Sequence, residues 1–319
     1  MKSILRSGIF FALAFGLLAS ARAGDDREPA SNRAPIRIAV AESFFRDIPE
    51  PLVRPLIEPL RVLMVSQTGM DGEVILPKGA MQLARDLAEE KLQLALLHGF
   101  EFAWAKHKYP ELQPLVIALH RQRELKVYLM VRADSPIRSY PDFQGKPVAL
   151  PCYCQEHCWV YMERACRDAG QNDPKKFFSP LTHPANAEVG LDELADGKVQ
   201  AAIVDNIALE AYKERKPARA AKLKIVQESE RFPAAVIAYR AGSLDSATVK
   251  LFQNSLLEGQ KTSLGRQLLT LWKLNTIERV PAGFNESLAK ILKAYPPPQE
   301  QAKGKEKEAI TRSGGSGRP

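Results

Sequence analysis

The sequence predicts an α/β protein of two lobes, each a sheet covered by helices, with a ligand cleft between them. Three observations lead there. Short apolar or β-branched runs alternate with longer segments of helical period, the pattern of mainly parallel sheets flanked by helices. Of the 319 residues, about 270 have the composition of an ordered fold, which exceeds what one hydrophobic core ordinarily supports. An apolar fraction of 45% is ample for two cores.

The N-terminus reads as a secretory signal over residues 1–23: Lys2 and Arg6, an apolar run at 9–18, then Ala21-Arg22-Ala23. That run is too short for a bilayer, which takes about 20 apolar residues. Cleavage after Ala23 predicts an exported, periplasmic chain, and the absence of a cysteine just beyond it argues against a lipid anchor. A polar linker follows at 24–34. Strands are expected at 36–40, 72–76, 92–97, 127–131, 147–150, 201–204, 223–226 and 234–239. Helices are expected at 51–67, 78–90, 101–107, 158–169, 186–196, 208–214, 245–257, 265–274 and 285–294. Pro51 suits a first helical turn. Pro55 and Pro59 predict that this helix starts late or bends. From Pro296 onward the chain has no apolar periodicity, and 296–319 reads as a disordered tail.

Loss of Lys2, Arg6 and Arg22 lowers the net charge from +8 to +5. No basic block dominates, so no nucleic-acid partner is expected. No G-x-S-x-G, H-E-x-x-H, G-x-x-x-x-G-K-[ST] or G-x-G-x-x-G occurs, and no cofactor is implied. Ligands of open α/β sheets collect at the carboxyl ends of strands. That rule selects Ser43 after the first strand, His98, Phe100 and Glu101 after the third, Gln155, Glu156 and His157 after the fifth, and Asp205 after the sixth. For Asp205 the alternative is a helix cap; for Phe100, packing in the core is the stronger reading. All four cysteines (Cys152, Cys154, Cys158 and Cys166) lie beside His157. In an exported chain a disulfide from Cys152 or Cys154 to Cys158 is the first reading. The alternatives are a soft-metal site from Cys152, Cys154, Cys158 and His157 or free buried thiols, and Cys–His catalysis is more remote.

The segment KVYLMVRADSPIRSYPDFQGKPVAL at 126–150 resembles the inter-lobe strand and turn of the phosphate/phosphite/phosphonate-type ABC-transporter substrate-binding proteins, which have a type II periplasmic binding protein fold. LAEEKLQLALL at 87–97, THPANAEVGLDELADGKVQAAIVDN at 182–206 and SERFPAAVIAYRAGSL at 229–244 continue the resemblance in order. The resemblance implies a discontinuous first lobe, 35–131 plus 234–295, a second lobe at 132–233, and crossings at 132–135 and 229–233. It implies a monomer that binds a small molecule, delivers it to a membrane permease and performs no chemistry. A ligand-sensing role in a signalling system is the alternative.

The sequence also departs from the family. Where the family carries an S-T-S-G turn that holds an oxyanion at a helix N-terminus, this chain has Gln155-Glu156-His157-Cys158. Where a G-P-x-S-Y-like turn is expected, it has His98-Gly99-Phe100-Glu101-Phe102. Asp205 and His183 match an acidic and a His position of the family. These departures predict a changed ligand, because Glu156 and Glu101 bring acid where the family brings donors.

Overall fold

The computed structural model describes residues 35–121, 125–152, 154 and 156–298. The expected signal segment, Gln155 and the tail beyond Pro298 lie outside them.

In chain order the first half comprises β1 (Ile36–Ala41), α1 (Glu50–Thr68), β2 (Gly72–Lys78), α2 (Ala80–Ala88), β3 (Leu94–Leu97), α3 (Gly99–Lys108) and β4 (Leu112–Leu119). The middle comprises β5 (Val127–Arg132), β6 (Val148–Ala149), α4 (Glu156–Asp168), α5 (Pro174–Phe177), β7 (Leu181–Thr182), α6 (Ala187–Ala195), β8 (Ala201–Asp205), α7 (Asn206–Arg215), α8 (Pro217–Ala220) and β9 (Leu223–Glu228). The chain then adds β10 (Ala235–Arg240), α9 (Ser246–Gly259), α10 (Ser263–Leu271), β11 (Thr276–Glu278) and α11 (Phe284–Ala294). Among the described residues no helix is long and apolar enough to cross a membrane.

Two sheets result, ordered β11-β4-β10-β3-β1-β2 and β7-β6-β8-β5-β9. The expectation of mainly parallel sheets needs correcting, because both are mixed. β1 pairs in parallel with β2 and β3, and β6 with β7 and β8, as right-handed β-helix-β crossovers favour. The strands that enter from the other sheet, β10 and β5, run antiparallel to both neighbours.

The placement of β5 corrects a second expectation. Residues 127–131 were assigned to the first lobe, but β5 is hydrogen-bonded to β8 and β9 in the second sheet. The chain therefore leaves the first sheet between Leu119 and Val127, before the strand, not at 132–135. It returns between Glu228 and Ala235. The two passages lie side by side: Phe232 N–H donates to the Leu125 carbonyl at 2.8 Å, and Val127 N–H to Ser229 Oγ at 2.8 Å.

α1 also differs from expectation. It runs from Glu50 through both internal prolines without a late start. Val53, Ile57, Leu60, Leu63 and Met64 form its buried stripe, packed with Phe252 and Leu256 of α9 against the first sheet. Burying each such side chain contributes roughly 1.5–3 kcal/mol. Pro55 is exposed and Pro59 only half-buried, so the helical hydrogen bonds they remove are lost on the solvent side. β4, β7 and β11 were not anticipated. β4 contains Pro114, which ordinarily argues against an inner strand. Its register with β10 slips beside Pro114, and the bulge accommodates the missing N–H.

At the passages the two cores join. Phe100 meets Phe232 edge-on at 5.9 Å, and Phe232 meets Tyr295 at 4.8 Å. Gly99 opens α3 directly beneath the return passage. A Cβ there would lie 2.3 Å from the Pro233 carbonyl oxygen and 2.5 Å from that of Ala234, so only glycine fits.

Candidate functional site

The carboxyl ends of β1, β3 and β4 from one sheet and of β6 and β8 from the other bring polar groups together. A tight 3-10 turn, Glu42–Phe45, follows β1 and carries Ser43 and Phe44, with Arg46 just beyond. Ser43 Oγ donates to Glu101 Oε1 at 2.8 Å, and the His98 backbone N–H donates to Glu101 Oε2 at 3.0 Å. Glu101 thus ties the first turn of α3 to the turn after β1. Burial pushes its carboxyl up to about 7, against the opposing effect of those two donors.

His98 stacks on Phe44 with centroids 3.8 Å apart and lies parallel to Phe100 at 5.6 Å. Its Nε2 is buried with no hydrogen-bond partner. Burial, followed by the proximity of His157, His120 and Arg46, holds the ring well below its usual range. Phe100 is 2% exposed and meets Trp104 and Phe232, so it packs in the core and does not wall the cavity.

From the second sheet, α4 starts at Glu156, two residues earlier than expected, which places Glu156, His157 and Cys158 in its buried first turn. Glu156 accepts from Arg46: Nε to Oε2 is 2.6 Å, and Nη2 bonds Oε1. The pair joins the β1 turn of the first sheet to the α4 N-terminus of the second. Arg46 also lies over the Trp159 ring at 4.9 Å, and Trp159 stacks on His183 at 5.5 Å. His183 Nδ1 bonds the Leu150 carbonyl at 2.9 Å. A carbonyl only accepts, so Nδ1 carries the proton. Burial pushes Glu156 up in spite of Arg46, while the bond to Glu156 pushes Arg46 up.

His157 is buried with its Nε2 unpartnered, and burial lowers it to about 3. Asp205 caps α7, accepting from the Ala208 N–H at 2.7 Å, and is itself 7% exposed. Of the two readings of Asp205, its contacts show the helix cap. Ligand-capable atoms of His157, Cys158 and Asp205 lie within 4.8 Å of one another.

Between the sheets lies a cavity of about 140 Å³. Of the expected residues, Ser43, His98 and Glu156 line it, together with Arg46, His120 and Lys273, which are not among those expected. His120 follows β4, a strand that the sequence pattern does not reveal. His120 Nδ1 bonds the Lys273 carbonyl at 2.9 Å, so its Nε2 presents a lone pair. Arg46 sits three residues beyond Ser43, near the carboxyl end of β1. Its proximity to that strand end was the available signal.

In the structure Cys152, Cys154, Cys158 and Cys166 are free thiols. Cys152 Sγ is turned toward the His183 carbonyl at 3.4 Å, and Cys166 lies 3.3 Å from the Tyr140 hydroxyl. Cys158 is fully buried in α4, and burial, then the neighbouring Cys154, pushes its thiol well up. A Cys–His nucleophile needs the opposite shift.

A search of curated protein sequences returned no match. Among solved structures, a Xanthomonas citri protein bound to chloride aligns with a TM-score of 0.58 at 15% identity, covering 82% of this chain and 96% of that one. The binding protein component of a Pseudomonas aeruginosa ABC phosphonate transporter aligns at 0.52 and 13%, covering 88% and 95%. PhnD1 from Prochlorococcus marinus in complex with methylphosphonate aligns at 0.52 and 11%, covering 81% and 97%. At these identities the likeness is one of fold, that of two-lobed binding proteins. The family model "ABC transporter, phosphonate, periplasmic substrate-binding protein" matches residues 50–282. With nearly three quarters of its length so matched, the chain belongs to the family of phosphonate-type periplasmic substrate-binding proteins of ABC transporters.

Proposed function

We propose that this chain captures a small molecule between its lobes and hands it to an ABC-transporter permease, performing no chemistry on it. The observation that carries this reading is the cavity between the sheets, where Ser43, His98 and Arg46 of one lobe meet Glu156 of the other. In this reading residues 1–23 direct export, and the mature chain works in the periplasm as a monomer with no nucleic-acid partner. The adjoining passages, which meet where Phe232 bonds Leu125, absorb the rotation that opens and closes the cleft.

The ligand is not a simple phosphonate in this reading. A helix N-terminus is a ready anion site, but that of α4 carries its own buried carboxylate, already neutralised by Arg46. A free anion must displace Glu156 from Arg46 or meet it unpaired.

The test is a thermal-shift screen of oxyanions, amines, amino acids and metal ions, with each hit carried into small-angle scattering. A ligand that prefers the closed form raises the melting temperature and lowers the radius of gyration. A protein whose radius of gyration is unchanged by every stabilising compound would refute capture by closure.

A further inference from the structure

We propose that His157, Cys158 and Asp205 form a binding site for a thiophilic divalent metal ion of the zinc class. None of the three residues lines the cavity between the sheets, so the inference goes beyond the ligand reading.

Among the described residues this is the one group of three His, Cys or acidic side chains whose donor atoms converge, and all three are buried. Zinc bonds of about 2.3 Å to sulfur and 2.0–2.2 Å to nitrogen and oxygen put tetrahedral donors roughly 3.5 Å apart. The observed spread of up to 4.8 Å is thus about 1 Å from a closed set, within reach of side-chain rotation. The three residues share a rigid support. His157 and Cys158 occupy the first turn of α4, and Asp205 ends β8 and caps α7. The cap uses only part of a carboxylate with about four lone-pair sites, so acceptor capacity remains.

A second observation points to a ligand. His157 Nε2 is buried, in a residue 2% exposed, with no hydrogen-bond partner. An unpaired buried polar atom is costly, and a metal ion satisfies it.

Charge argues the same way. A thiolate and a carboxylate carry −2 between them, the imidazole is neutral, and a divalent ion brings the buried set to zero. The metal takes the place of the Cys158 proton, which leaves to the buffer. Mixed nitrogen, sulfur and oxygen donors suit zinc, whereas copper(I) selects thiolates and thioethers without carboxylate. Three protein ligands leave a fourth position open, as in zinc sites that accept an exogenous donor.

The experiment uses the full mature chain, reduced and freed of metal, titrated with Zn²⁺ against a chromophoric chelator. Co²⁺ serves as the spectroscopic stand-in. One equivalent is expected, with about one proton released per ion and a near-ultraviolet sulfur-to-cobalt charge-transfer band. Removing an outer-shell partner of a metal typically costs 10–100-fold, so loss of a direct ligand in Cys158→Ser should weaken Zn²⁺ by more than about 100-fold and abolish the band. Asp205→Asn keeps a good cap and the fold, and should still weaken Zn²⁺ by at least about 10-fold. Cys152→Ser and Cys166→Ser should bind as the parent does.

The proposal falls if the parent shows no stoichiometric Zn²⁺, if Cys158→Ser and Asp205→Asn bind unchanged, or if chain recovered from its export compartment carries a Cys154–Cys158 disulfide. Scattering on the same samples separates it from the broader reading. Closure by a metal-free solute without Zn²⁺ binding sinks the metal site alone. Zn²⁺ binding in a chain that never closes sinks solute capture alone.

Discussion

Replacing Arg46 by alanine strands Glu156, and the size of the effect follows from where the two groups sit. The Glu156 side chain is 8% exposed and that of Arg46 42%. Breaking a fully buried pair costs about 3–5 kcal/mol and an exposed one about 0–1 kcal/mol. Exposure of the guanidinium lets water screen the pair, so about 2 kcal/mol is expected. Loss of the Trp159 cation–π contact adds about 0.5–1 kcal/mol. Urea unfolding followed by tryptophan fluorescence should therefore show Arg46→Ala less stable by about 2.5 kcal/mol at pH 8. The pH dependence distinguishes charge from packing. Without Arg46 the folded-state pKa of Glu156 rises further above its unfolded value, so the folded state binds the proton more tightly. The deficit must then shrink as pH falls through the folded pKa toward the unfolded one. Arg46→Ala combined with Glu156→Gln removes the stranded charge and should recover roughly 1–2 kcal/mol relative to Arg46→Ala alone. A deficit equal at pH 5 and pH 8, with no recovery in the double variant, would refute the argument.

Three further outcomes are expected. Glu101 is held near 7, above its unfolded value, so its contribution is full below about pH 4.5 and lost as pH rises through about 7; Glu101→Gln, which keeps partners for Ser43 Oγ and the His98 N–H, should flatten stability over that window by up to about 3 kcal/mol in unfolding measured at pH 5 and pH 8. Gly99→Ala forces a Cβ onto the Pro233 carbonyl and should cost about 3 kcal/mol or more by calorimetry, with unchanged stability counting against the close approach. Methylphosphonate should bind more weakly than about 1 μM by calorimetric titration, and tighter binding would mean that Glu156 yields its place at α4 to an anion.

The alternation of apolar runs with helical segments was legible in the sequence, and it locates most strands and helices within a few residues. What it missed has identifiable causes. β4 was hidden by Pro114, whose absent N–H is absorbed by a bulge visible only once β10 lies alongside. With β4 went His120, a cavity residue at its end. Residues 127–131 read correctly as a strand, but an apolar strand does not say which sheet it joins; pairing with β8 and β9 does. At the site, strand ends pointed to Ser43, His98, Glu156 and Asp205. They could not disclose that Glu156 is matched by Arg46, 110 residues away in sequence. Nor could spacing tell that the donor atoms of Cys158 converge with those of Asp205.

Strand order also sets a timetable for synthesis. Every strand of the second sheet lies between Val127 and Glu228, so that sheet has all its strands once the chain has emerged to β9. The first sheet has no such autonomy. Its inner strand β10 separates β3 from β4 and begins only at Ala235, and its edge strand β11 later still. Until then β1, β2 and β3 have no link to β4, and the apolar faces of all four wait for cover. Loop-closure entropy delays such non-local pairing further. The half of the molecule that starts first is thus the half that finishes last, and a nascent chain stalled before residue 235 would expose the edges of β3 and β4 to aggregation.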